Sequence, residues 1–128
     1  MRWLSGSRGQ SAVELALLLP ILLVVLLGIA EGGQILSATL IVEHAAREGA
    51  RLGITGADDA AIADCVRSAA STLDQGRLAV DVSPVGERDR GTTLTVTVNY
   101  SYLVVAPLIS QLVGGEVPLS ATLSMRVE

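Results

Sequence analysis

Apolar and polar positions divide this chain into three regimes. From Ala12 to Ala30 nearly every residue is apolar, and Glu14 is the one charge. Nineteen residues make a helix about 28 Å long, close to the ~30 Å hydrocarbon core of a bilayer. Pro20 removes one helix hydrogen bond and is expected to bend the span. Gly28, Gly32 and Gly33 weaken the helix near its outer end and make a break there an option. Glu31 is expected to mark the exit into water. From Ile35 to Gly53 the pattern turns amphipathic. Ile35, Ala38, Val42, Ala45, Ala46, Gly49 and Gly53 recur at three- and four-residue spacing, opposite Glu43, His44, Arg47, Glu48 and Arg51. The small residues of this stripe leave room for a sheet or another backbone to approach. Thr55, Gly56 and the Asp58–Asp59 pair predict a stop and an N-cap, followed by a second helix over about Asp59 to Leu73.

After that helix the period changes to two. Leu78, Val80 and Val82 predict one strand. Leu94, Val96, Val98, Tyr100 and Tyr102 predict a second. Val117, Leu119, Ala121, Leu123, Met125 and Val127 predict a third. The alternate positions are mostly polar, as in an antiparallel sheet covered on one face, here by the two helices. Between the second and third strands, Pro107 to Gly114 predicts a short helix, with Pro at its start and Gly at its end. Its apolar residues Leu108, Ile109, Leu112 and Val113 are expected to tuck under the sheet. The alternative is a surface that docks a protein partner or the membrane. The expected fold class is α+β: a long membrane helix continuing outside, a second helix and a three-stranded antiparallel sheet packed on both. The expected division is a leader over 1–9, a long helix over 10–56 and an exterior domain over 57–128.

Composition and charge add orientation. The chain has 128 residues, enough for one domain. It has no Phe, one Trp and two Tyr, so any core is aliphatic. Arg2 and Arg8 precede the apolar run, whereas residues 31–128 carry twelve acids against seven Arg. By the positive-inside rule the N-terminus is cytoplasmic and the C-terminal part lies outside the cell membrane. An acidic exterior without Lys argues against a nucleic-acid partner. One Cys forms no intramolecular disulfide, and one His with one Cys makes no ordinary zinc site. No nucleophile motif surrounds His44, so neither catalysis nor a cofactor is expected. His44 reads as a solvated helix residue and Cys65 as a small core residue.

Glu14 is the informative departure. A carboxylate in hydrocarbon costs roughly 2.5–3.5 kcal/mol at a helix centre and less near an end. It stands five residues after Gly9, behind a short basic leader. Cutting after Gly9 would free the amine of Gln10, one helical turn from Glu14. Gly6 serves as a control, since a cut after it puts Ser11 at the same position. A rival reading takes Gly28-Ile29-Ala30 as a secretory cleavage site that would free residues 31–128.

The stretches RGQSAVELALLLPILLVVLLGIAEGG and EHAAREGARLG resemble the TadE-like family, minor pseudopilins of the tight-adherence (Tad, or Flp) pilus system, within the wider class of type IV pilin-like proteins. The matching positions are Arg8, Gly9, Glu14 and Pro20, then Ala45, Ala46, Arg47, Gly49, Ala50 and Arg51. Leu15 stands where many members carry an aromatic residue. The resemblance implies cleavage between Gly9 and Gln10 by a prepilin peptidase; beside it, a buried Glu14 carboxylate is expected to pair with its own or a neighbouring subunit's amine, which would set the register of packed helices in assembly. The resemblance also implies partners among other pilins and pseudopilins, the pilus assembly platform and the membrane. The alternative function is a signal-anchored or secreted exterior binding module with no pilus role.

Overall fold

A computed structural model describes residues 6–128. Residues 1–5, with the leader's Arg2, lie outside the described residues, as does the side chain of Arg8. The element order is α1 (Gly6–Gly53), α2 (Asp59–Ala69), a 3-10 turn (Gln75–Arg77), β1 (Leu78–Ser83), β2 (Thr93–Leu103), α3 (Pro107–Val113) and β3 (Glu116–Arg126). The fold is α+β, as the change of period predicts.

Helix α1 is one element of 48 residues. The helix runs without a break through Pro20 and through Gly28, Gly32 and Gly33, where an interruption was an option. Hydrogen bonds on either side hold a helix across a single missing donor, and scattered glycines weaken it by only about 1 kcal/mol each. Helix α2 starts where predicted, with the Asp58 carboxylate accepting from the Ala61 N–H at 2.8 Å. It ends at Ala69 rather than Leu73. The Gln75 side-chain amide donates to the Ala70 carbonyl at 2.9 Å and closes the turn that stops the helix. Leu73 still packs against the core, but from that turn.

The sheet is antiparallel in the order β1-β2-β3. Leu78 pairs with Tyr100 and Ser83 with Thr95; Leu94 pairs with Met125 and Leu103 with Glu116. One face carries hydroxyls, with Thr95 bonded to Ser124 at 2.9 Å and Thr97 to Thr122 at 3.3 Å. The other face packs on the helices. Leu94, Val96 and Val98 are buried against Ala45, Ala46 and Ala50 of α1 and Ile62 and Val66 of α2, all within one core. The apolar residues of β3 are half buried, as are Val80 and Val82 of β1, so the helices cover the central strand β2 most fully.

The small stripe of α1 has the predicted purpose. A Cβ on Gly49 would stand 2.5 Å from Val66 Cγ2 and 3.6 Å from Val96 Cγ1. On Gly53 it would collide with Leu94 and Ile62. Side chains from α2 and β2 therefore meet the α1 backbone directly. Cys65 is half buried beside this core rather than within it.

At the end farthest from the apolar run, the Arg88 guanidinium pairs with Asp59 and donates to the Ala57 carbonyl at 3.3 Å and the Pro84 carbonyl at 3.1 Å. The Gly86 N–H donates to the second Asp59 oxygen at 2.9 Å. These contacts tie the β1–β2 loop to the first turn of α2. A cleft of about 630 Å³ lies beside them, lined by Gly56, Asp58, Glu87 and Asp89 among others.

Candidate functional site

The first half of α1 stands apart from the domain. From Gly9 to Leu23 every residue is exposed, and between 9 and 30 only Val24 and Gly28 are half buried. α1 is the one helix among the described residues long and apolar enough to cross a membrane. Exposed leucines, isoleucines and valines on all sides are what lipid would cover.

Gly9, Gln10 and Glu14 occupy the start of this projection. Nothing lies within 4 Å of the position a Gly9 Cβ would take. The helix surface there is uncovered by the rest of the domain. The Gln10 side-chain amide donates to the Glu14 carboxylate at 3.3 Å, so the helix places residues 10 and 14 on one face. This amide is a neutral partner.

The outer end of the projection is built differently. Glu31 is 4 % exposed and accepts from the Val105 N–H at 3.2 Å. This corrects the expectation that Glu31 marks an exit into water. The loop from Val104 to Ala106 folds down on the helix, and its backbone N–H takes water's place. Tyr102 closes the same spot, its hydroxyl donating to Gln34 Oε1 at 3.1 Å. Burial, then the neighbouring Glu31 carboxylate, push the Tyr102 phenol above its ordinary value. A buried acid held by a backbone donor ties the loop after β2 to the middle of α1. Sequence gave little warning, because Glu31 simply follows the apolar run and its donor lies 74 residues away.

Just above, Arg77 pairs with Glu116 at 2.6 Å, and Ser101 donates to the other Glu116 oxygen at 2.9 Å. These two partners, Arg77 first, hold the Glu116 carboxyl below the usual carboxylate range.

Helix α3 divides its four apolar residues. Ile109 packs against the core cluster, whereas Leu108, Leu112 and Val113 are exposed. The expected placement under the sheet therefore fails for three of the four. With seven residues, α3 is two turns long and turns one face inward. The α1 backbone and the strands already fill the space beneath the sheet.

His44 is exposed on the polar side of α1. Among the described residues no group of three or more His, Cys, Asp or Glu side chains is placed to hold a metal ion.

The segment that projects and then joins the domain is also the segment with known relatives. Residues 9–51 match the family model of the TadE-like protein. The TadE-like segment thus begins at Gly9, includes Glu14 and the whole apolar run, and ends within the small stripe that receives the sheet. No curated protein and no solved structure matches the chain. The TadE-like match stops before α2, so the rest of the domain is described by its own packing.

Proposed function

We propose that this protein is a membrane-anchored minor pseudopilin that helps assemble a Tad-type pilus. In this reading a prepilin peptidase cuts after Gly9, and Glu14 then pairs with an amine in the apolar layer. The observation that carries the reading is the shared face of Gln10 and Glu14 at the start of an exposed apolar helix, inside the TadE-like segment. A carboxylate in hydrocarbon offsets its burial only by pairing. The amine of its own Gln10, or of a neighbouring subunit, supplies the charge. Pairing between subunits sets the axial register of packed helices. Other pilins, a sister pseudopilin and the assembly platform are the partners this reading requires. The leader faces the cytoplasm and the α+β domain faces outward.

The released-module alternative is less well supported. Helix α1 has no break at Gly28–Ala30, and Ile109 packs on Gly28, upstream of the cut that alternative needs.

Replacing Glu14 by Ala tests the assembly role. The variant is expected to insert at least as well as wild type, since a carboxylate leaves the hydrocarbon. Pili counted by electron microscopy are expected to fall sharply. Equal piliation at equal protein level would remove Glu14 from the assembly mechanism.

A further inference from the structure

From Leu103 to Gly115 the chain holds no charged residue. This stretch leaves β2, forms α3 and returns as β3. Val104 and Ala106 are buried, but Leu103, Val105, Leu108, Leu112 and Val113 are exposed, Val105 to 74 % and Leu112 to 79 %. Five large apolar side chains at one end of a small domain mark a contact surface.

The position of this surface identifies what covers it. Ile109 Cδ1 lies 3.7 Å from where a Gly28 Cβ would stand. Gly28 lies two residues inside the outer end of the apolar run, about 3 Å along the helix. At the same height Leu26, Leu27 and Ile29 of α1 are exposed on its other faces. Lipid that surrounds those side chains also meets α3, because α3 lies against the same turn of the helix. The bond from Val105 N–H to Glu31 holds the preceding loop at this level. The Asp59–Arg88 pair and its neighbouring acids lie at the opposite end of the domain, consistent with one lipid-facing end and one water-facing end.

We propose that α3 and the Val105 loop dock in the interfacial layer of the bilayer that α1 spans, on its outer side. The exposed apolar face of a helix lying on a bilayer buries at the headgroup–acyl boundary, and α1 holds α3 at that depth. The domain then touches the membrane at two places, α1 and α3. The second contact limits tilting of the helix and domain, as one body, relative to the bilayer. This inference rests on membrane anchoring by α1 and is independent of any role in pili.

Tryptophan fluorescence in vesicles tests it. Trp3 is the only native tryptophan and is replaced by Phe. The full chain then carries one probe at a time, from Leu112→Trp, Val105→Trp, Leu22→Trp or Val85→Trp. It is reconstituted at low protein-to-lipid ratio in phosphatidylcholine–phosphatidylglycerol vesicles. The lipids are brominated either near the headgroup or near the chain ends. The Leu112→Trp and Val105→Trp probes are expected to emit blue-shifted light, quenched more by the shallow bromines. The Leu22→Trp probe is expected to be quenched more by the deep ones. The Val85→Trp probe, on the distal loop, is expected to be quenched by neither. If Leu22→Trp is quenched but Leu112→Trp and Val105→Trp emit as Val85→Trp does, the docking fails and the anchoring stands. Blue-shifted emission at Leu112→Trp without quenching, growing with protein-to-lipid ratio, would assign the surface to a second copy and overturn the proposal. Absence of quenching at Leu22→Trp would remove the anchoring and the docking together.

Discussion

Single residues do unequal work in this chain, and the least conspicuous acids do the most. Glu14 stands in the apolar run and accepts a hydrogen bond from the Gln10 side-chain amide. Glu31 is sealed by a backbone donor from the far end of β2. Asp59 caps nothing; its neighbour Asp58 does that, which leaves Asp59 free to take Arg88 and the Gly86 N–H. The Arg88 side chain is 4 % exposed, so its charge depends on those partners. Replacing Arg88 by Ala removes them while Asp59 keeps some access to water. A loss of about 1.5–3 kcal/mol is expected, in line with hydrogen bonds to charged groups. Urea unfolding of the full chain in detergent, followed by circular dichroism, measures it. A loss no larger than that of Arg47→Ala, on the exposed face of α1, would show that the loop tie contributes little.

Among the elements, α1 is two helices in function and one in geometry. Its first half is exposed on every side; its second half is the spine of the domain. The stripe of Ala45, Ala46, Gly49 and Gly53 lets α2 and β2 pack against its backbone. Leu at Gly49 is expected to displace Val66 and destabilise by about 1–3 kcal/mol, the usual cost of overpacking. Leu at Arg47 is expected to be much milder. Thermal melts of the two full-length variants in detergent compare them, and the reverse ranking would place the helix in a different rotation. This stripe was legible in the sequence because helix period and residue size agreed, as were the three strands, whose alternation was long. The break at Gly28–Gly33 did not occur, since neighbouring turns and the bond at Glu31 hold the helix through it. The exposure of Leu108, Leu112 and Val113 was not legible, because an amphipathic or apolar helix reads the same whether protein or lipid covers it. The Glu31–Val105 bond and the Arg88–Asp59 tie were hidden for a simpler reason. Each joins residues far apart in sequence, and no local period marks either partner.

As a whole, the molecule is a domain set on a long helix whose exposed apolar half carries Gly9, Gln10 and Glu14 near its start. The uncovered helix surface at Gly9, the common face of Gln10 and Glu14, and the start of the TadE-like match over residues 9–51 meet at the Gly9–Gln10 junction. The proposed pseudopilin role requires the junction to be cut, because only then does Glu14 gain an amine to pair with. The intact mass of the protein, extracted from membranes of cells that make prepilin peptidase, tests this most directly. The account predicts a mass that lacks residues 1–9, with Gln10 at the amino terminus, and restoration of the uncut mass when Gly9 is replaced by a bulky residue. A full-length mass from wild-type protein, or an amino terminus at Glu31, would contradict it.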